Sequence, residues 1–154
     1  MIHYLTGDAT EPTVKEGIRV IIHVVNSIGK WGAGFSGAVS AKWKAPEDFY
    51  RRQFRFSNHR FNLGGVQWVF VEQHLAVVNL IAQEGVRGAS NPKPIRYEAL
   101  ESCLNRLAES CHHLMDDAGI HPPRTQEVTI HMPRIGCGLA GASWDTVGPI
   151  VEES

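Results

Sequence analysis

Met132-Pro133-Arg134-Ile135-Gly136-Cys137-Gly138-Leu139-Ala140-Gly141 is the stretch on which the fold turns. A β-rich apolar run over 128–132 leads into it. A short helical pattern over 143–153 follows, with Ser143 or Asp145 placed to cap its start. Strand, glycine turn and helix in succession bring bare backbone N–H groups and a helix N-terminus up to an anion. Glycine suits such a turn because a Cβ would block both positive φ angles and close approach. Upstream, Gly32-Ala33-Gly34-Phe35-Ser36-Gly37 repeats the arrangement after a second apolar strand over 20–25. Two such loops imply two edges of one anionic ligand, and a diphosphate is the simplest candidate.

A chain of 154 residues is read as one domain spanning 1–154, long enough for a sound core. Fifteen Lys+Arg against sixteen Asp+Glu leave no basic excess, which disfavours non-specific attraction to nucleic acid or to a membrane surface. Cys103, Cys111 and Cys137 form an odd, unpatterned set with neither metal spacing nor a disulfide framework. A reducing compartment is therefore expected: the cytoplasm, or the nucleus in a eukaryote. No apolar run approaches the roughly 20 residues of a membrane span, and the first residues lack the pattern of a secretory signal.

In chain order, residues 2–6 read as a short strand ending in the turn Thr6-Gly7-Asp8-Ala9-Thr10. The run 19–25 is nearly all β-branched, the mark of a strand buried on both faces. Residues 35–43 carry small and apolar residues at helical spacing, and Pro46 opens a second helix running towards Phe54. Strands are expected over 66–71 and 75–81, with an open Gly/Ser/Asn-rich segment from Gln83 to Lys93. Leu100, Leu104, Leu107, Cys111 and Leu114 give the clearest helix, over 97–118, with Gly119 to close it. Residues 121–124 read as a linker. Apolar strands alternating with helices predict a three-layer α/β/α sandwich around a central mixed sheet.

Both glycine loops satisfy G-x-G-x-x-G, at Gly32, Gly34, Gly37 and at Gly136, Gly138, Gly141. A nicotinamide-binding fold is nevertheless disfavoured. Residues 26–31 separate the first strand from its glycines, and no second strand ends in Asp or Glu about 20 residues on.

The motifs together resemble the macrodomain family, which binds ADP-ribose. The resemblance rests on Thr6-Gly7-Asp8-Ala9, His23-Val24-Val25-Asn26, Trp31-Gly32-Ala33-Gly34-Phe35 and Pro133-Arg134-Ile135-Gly136-Cys137-Gly138-Leu139. It runs from Ile2 to about Glu153 and is strongest to the branch of terminal ADP-ribose glycohydrolases, yeast-type ADP-ribose 1″-phosphate phosphatases and similar bacterial proteins. The family pattern closes with one more strand than the sequence shows after Glu153-Ser154, which leaves one side of the adenine pocket undefined.

The resemblance implies a ligand-binding set. Asp8 and Ala9 would meet the adenine, Asp8 accepting from its exocyclic amino group. Gly32, Ala33, Gly34 and Phe35 on one side, and Ile135, Gly136, Cys137, Gly138, Leu139 and Ala140 on the other, would wrap the diphosphate with N–H groups. Asn26 would hydrogen-bond the distal ribose. Each position also has a plainer explanation: a turn aspartate, two ordinary tight turns, an Asn satisfying its own loop, and a Phe in the core. Trp31 and Trp43 read as packing.

Implied activity is hydrolysis of ADP-ribose ester-linked to protein carboxylates, with His23, Asn26 and Gln83 as the catalytic set and Arg87 nearby. In the glycohydrolase relatives a lysine after the middle strand forms a covalent sugar adduct and a second-loop aspartate assists. The matching positions here are Gln83 and Ala140, neither of which can attack as an amine or act as a base. Water attack assisted by the substrate's own diphosphate is the expected route. His23 matches a histidine of the yeast-type phosphatases, although its place inside an apolar strand equally suits a core histidine. Cys137 lacks an acid/base partner, and His112-His113 lacks the spaced partners of a metal site. The expectation is therefore no metal, no cofactor, and ADP-ribose or ADP-ribosylated proteins as partners, without sequence-specific nucleic acid or a membrane, with a monomer as the default. A phosphatase acting on ADP-ribose 1″-phosphate and a non-catalytic reader of ADP-ribosylated proteins remain as alternatives.

Overall fold

Two strands buried on both faces form the middle of the sheet. In this computed structural model, which describes residues 4, 6–12, 14, 16–117, 124–125 and 127–133, they are β1 (Ile18–Asn26) and β3 (Leu75–Gln83). Their near-continuous aliphatic sequence is what such a position demands. They run parallel, with Arg19 opposite Leu75 and Val25 opposite Ile81. β2 (Val66–Glu72) pairs antiparallel to β3 through a two-residue connection, Gln73-His74, and forms an outer strand. β6 (Val128–His131) lies parallel to β1 on its other side, giving the order β2-β3-β1-β6 and a mixed sheet as expected.

Successive strand residues point to opposite faces, and each face has its own helical cover. Ile18, Val20 and Ile22, with Val78 and Leu80, pack against Leu100, Leu104 and Leu107 of α3 (Tyr97–Met115). Ile21, Leu75 and Val77 pack on Val39 of α1 (Phe35–Lys42), with Phe35 and Trp43 beside them. Val25 and Ile81 meet Tyr50 of α2 (Ala45–Phe56) and Phe61. Helices on both faces of a mixed sheet make the three-layer α/β/α sandwich that the sequence predicted.

Several boundaries differ from expectation. α3 stops at Met115, short of the expected 118, and Asp116 and Asp117 do not continue it. They instead form β4 (Asp116–Asp117), paired antiparallel with β5 (Arg124–Thr125), where a linker was expected at Arg124. β3 extends to Gln83, which had been assigned to the open segment, because Asn26 pairs with it across a register shift at the end of β1. β6 ends one residue before Met132. Gly119, most of the 2–6 strand, the loop 135–140 and the 143–153 helix lie outside the described residues.

Candidate functional site

β1 and β3 are parallel neighbours, yet their connections depart to opposite faces of the sheet: α1 follows β1 on one side and α3 follows β3 on the other. A crevice opens where two such connections diverge, at the carboxyl ends of the strands, and ligands of α/β proteins bind there. At that edge the structure brings Asn26 and Gln83 together as direct ladder partners. β6 is parallel to β1, so Met132 and Pro133 leave the sheet towards the same edge. Ile135 to Ala140, expected as the second half of the cradle, lie outside the described residues.

The first glycine loop stands open at this edge. Gly32, Ala33 and Gly34 are exposed, and a Cβ added at Gly32 or Gly34 would meet nothing within 4 Å. None of Gly32, Gly34 and Gly37 has a positive φ, so only one of the two reasons expected for glycine applies here: room above the backbone. Gly34 is the N-cap of α1, and no side chain caps the helix. The orphan N–H groups of the first turn are thus left for another acceptor. Conformational need falls instead on Gly29, with φ +77 and an added Cβ 2.4 Å from Cδ1 of Phe54.

His23 lies beneath this loop and does not reach its surface. It is 2% exposed, with Trp31 and Phe35 edge-on to its ring at centroid distances of 5.3 and 5.9 Å. Its Nε2 lies 2.6 Å from Oδ1 of Asn79, and its Nδ1 lies 3.0 Å from Oγ of Ser36. The Asn79 amide nitrogen donates to the Pro46 carbonyl and to Oε1 of Gln67, so its oxygen faces the ring. Nε2 therefore donates, and Nδ1 accepts from the Ser36 hydroxyl. Burial pushes the His23 pKa down to about 4, against the opposing effect of the Asn79 bond. A neutral histidine with both nitrogens engaged fits the core alternative and does not fit a proton-transferring group at the cleft.

Asn26 takes the plainer of its two expected roles as well. Its Oδ1 accepts from the N–H groups of Ile28 and Lys30, both at 3.1 Å, and from the Tyr50 hydroxyl at 2.8 Å. Its Nδ2 donates to the Lys30 carbonyl. The side chain braces its own loop: its oxygen is fully engaged, and one N–H of its amide is the only hydrogen-bonding capacity left over. The single Tyr50 hydroxyl proton is shared between Oδ1 and the Asn26 carbonyl, 2.7 Å away, and burial drives the Tyr50 pKa upward. Gln83 is half-buried, with Nε2 3.4 Å from the Gly85 carbonyl, a weak bond at most. Arg87 is exposed.

Asp8 sits in an exposed turn, with Ala9 half-buried beside it. Its Oδ1 accepts from the Thr10 hydroxyl at 2.7 Å and from the Thr10 N–H at 2.9 Å, and these bonds hold the carboxylate below its usual pKa. Lys42, in the last turn of α1, donates to the Thr10 carbonyl and pairs with Glu11 at 2.9 Å. The eight residues of α1 rise roughly 12 Å, which separates Gly34 at its start from Lys42, the residue that reaches Thr10, in its last turn. Trp31 packs as expected, its indole N–H donating to the Ser36 carbonyl at 2.9 Å. Phe35 packs against the α1-side core.

Asn79, Ser36, Gln67 and Tyr50 were not singled out from sequence. The one available signal was Asn79 itself, a lone amide inside Val77-Val78-Asn79-Leu80-Ile81. Among the described residues no group of His, Cys, Asp and Glu could hold a metal ion, and His112 and His113 are exposed. Cys103 and Cys111 are buried and free, and burial pushes the Cys103 thiol up to about 12. Among the described residues, no helix is long and apolar enough to cross a membrane.

No protein-family model matches the sequence. Its backbone is similar to a Bacteroides thetaiotaomicron protein of unknown function, at 42% identity, covering 97% of this chain and 87% of that one with a TM-score of 0.82. It is also similar to the macrodomain protein from Streptomyces coelicolor, at 40% identity over 96% of this chain and 86% of that one, with a TM-score of 0.75. Among curated sequences, 93% of the chain matches mouse Chromodomain-helicase-DNA-binding protein 1-like at 26% identity, spanning 15% of that protein's length. The ADP-ribose 1″-phosphate phosphatase of Candida albicans is 22% identical, with 99% of this chain and 93% of that protein covered. With two-fifths of its residues shared with the Streptomyces protein over nearly the whole of both chains, this chain belongs to the macrodomain family.

Proposed function

We propose that this macrodomain binds ADP-ribose along the carboxyl edge of β1 and β3 and hydrolyses the ester that joins ADP-ribose to protein carboxylates. The observation that carries the proposal is the uncapped N-terminus of α1 beneath an exposed glycine loop, at the point where the connections of two parallel strands diverge. Bare N–H groups and the positive end of a helix dipole are a ready seat for a diphosphate. Asp8, tied through its turn to the far end of α1, is the acceptor offered to the adenine amino group. Residues 135–140 would close the diphosphate from the other side. The distal ribose would then lie over Asn26 and Gln83.

The chemistry follows from what the described part of that edge offers. His23 and Asn26 are engaged inward, and Gln83 does not titrate. The bond to be broken lies between the anomeric carbon of the distal ribose and the carboxylate oxygen. A water held by the bent diphosphate would attack that carbon as its bond to the carboxylate oxygen breaks; the carboxylate leaves as a stable anion, and the water's proton passes by way of a diphosphate oxygen to solvent. Placement of the water, together with fixed N–H dipoles facing the diphosphate, would supply the rate. The protein's contribution is a rigid loop: Ser36 and His23 tie α1 to the sheet, and Tyr50 locks Asn26.

A second reading, a non-catalytic reader, is favoured by the inward engagement of His23 and of the Asn26 oxygen, the two expected catalytic side chains with the firmest hydrogen bonds. The name of the Candida relative favours a third, release of phosphate from ADP-ribose 1″-phosphate. Incubation with a carboxylate-linked ADP-ribosyl protein and with ADP-ribose 1″-phosphate separates them. Loss of the ester supports the proposal. Phosphate release without ester loss supports the phosphatase, and tight ADP-ribose binding with neither reaction supports the reader.

A further inference from the structure

α2 carries a surface that the proposed site does not use. The segment 44–60 holds five Lys/Arg (Lys44, Arg51, Arg52, Arg55, Arg60) against two acidic residues, Glu47 and Asp48. That is a local net charge of +3 in a chain whose total is −1. Arg51 pairs with Glu47 at 2.9 Å and Arg60 with Glu84 at 2.7 Å. Arg52 and Arg55 have no acidic partner among the described residues; Arg52 only leans over the Phe49 ring at 5.7 Å. Arg52 precedes Arg55 by three residues and Phe56 by four, which sets it beside both on the helix surface, and His59 follows in the exit turn, its ring edge-on to Phe54 at 5.5 Å. All four are exposed, and Phe56 reaches 80%.

Ordinary helix chemistry accounts for only part of this. Arg55 in the last turn complements the negative end of the helix dipole. That does not explain Arg52, and it does not explain a phenyl ring left in water at the end of the helix. The exit turn places Asn58 and His59 in the left-handed region, with φ of 57 and 59, as helix ends often do.

The stripe borders the proposed site. Phe54, on the next face of α2, closes over Gly29 in the loop that follows β1. The Phe61 N–H donates to the Ser27 carbonyl at 3.0 Å, and the Ser27 N–H donates to the Gln83 carbonyl at 2.8 Å. Arg60 reaches Glu84, the residue after Gln83. The end of α2 therefore flanks the place where the distal ribose, and the protein segment attached to it, would leave the cleft.

Resting on the ADP-ribose reading above, we propose that Arg52, Arg55, Phe56 and His59 bind the protein segment that carries the ADP-ribose, and that the segment they fit is acidic with an apolar side chain. Two unpaired arginines complement carboxylates next to the modified one, and guanidinium forks hold carboxylates bidentately. Phe56 supplies an apolar contact beside them. The stripe is short and the chain as a whole is slightly negative, which suits a few acidic residues better than a long polyanion.

The test compares two peptides carrying ADP-ribose through a hydrolysis-resistant amide linkage, one flanked by Glu and Asp and one by Gln and Asn, alongside free ADP-ribose. Expected is an acidic-flank preference of about fivefold that fades at high salt. R52E/R55E abolishes the preference while its affinity for free ADP-ribose stays at the wild-type value, and R52K/R55K keeps most of it. Equal affinity for the two peptides, or a preference that survives R52E/R55E, overturns the inference and leaves ADP-ribose binding untouched. A single-stranded deoxyoligonucleotide that competes better than the unmodified acidic peptide also overturns it, since the stripe would then belong to a nucleic acid. Failure of the wild-type protein to bind free ADP-ribose overturns the underlying functional reading, and this inference with it.

Discussion

The two faces of the central sheet are built from the same two strands, yet they hold different chemistry. Towards α3, Val20, Ile22, Val78 and Leu80 meet Leu100, Leu104 and Leu107 in a cluster made of aliphatic side chains for the most part. Towards α1 and α2, the same strands contribute His23, Asn26 and Asn79, all buried and all hydrogen-bonded, among Ile21, Val25 and Ile81. Aliphatic packing is non-directional and supplies stability. Buried hydrogen bonds have fixed geometry, and a chain from Ser36 through His23 and Asn79 to Gln67 holds α1 in one position on the sheet. One face keeps the molecule folded, and the other determines where the helix N-terminus points.

The largest expected effect lies on the α3 face. Leu100→Ala removes a fully buried side chain there and should lower unfolding stability by about 2–5 kcal/mol in denaturant titrations. The ADP-ribose affinity of the folded protein should not change. An affinity loss of tenfold or more would mean that the two faces are not separable.

A smaller effect, on the opposite face, is a dependence on pH. The unfolded chain protonates His23 near its ordinary pKa of 6.5, and the folded chain only at about 4. The stability it contributes is therefore complete above pH 6.5 and is lost progressively as the pH falls to about 4, by on the order of 3 kcal/mol at most. His23→Gln, which keeps an amide for Asn79, should flatten that part of the stability profile. A profile unchanged by the substitution would place the acid sensitivity elsewhere.

Gly29→Ala sharpens the contrast further. It asks a side chain to adopt φ +77 and to enter the Phe54 ring, and should cost about 1 kcal/mol or more. Unlike Leu100→Ala, it should also weaken ADP-ribose binding, because the displaced segment is the loop that leads to Gly32. Equal binding would show that the loop's position is not set by α2.

Much of the aliphatic half was legible in the sequence. A strand buried on both faces must be apolar at nearly every position, and β1 and β3 are. α3 could be read from Leu100, Leu104, Leu107 and Cys111, since a helix covering a sheet repeats its apolar residues every three to four positions. The polar half was less so. Whether Asn26 faces a ligand or its own loop depends on the Tyr50 hydroxyl, 24 residues away, and on the Lys30 carbonyl. His23 and Asn79 lie 56 residues apart, and only the β1–β3 register makes them neighbours. Such pairings are set by tertiary structure, and no local pattern encodes them. Of the two reasons expected for glycine in the first loop, the structure carries only one, because Gly32 and Gly34 provide room above the backbone and no positive φ.

A calorimetric titration of ADP-ribose into the wild-type protein and into Gly32→Glu tests the central claim most directly. The space above Gly32 is open, so the substitution should leave folding nearly unchanged while placing bulk and negative charge against the diphosphate. The account predicts one saturable site in the wild type and an affinity lower by about a hundredfold or more in the variant. No heat and no thermal shift in the wild type under millimolar ADP-ribose would contradict it, as would a Gly32→Glu protein that binds at wild-type strength.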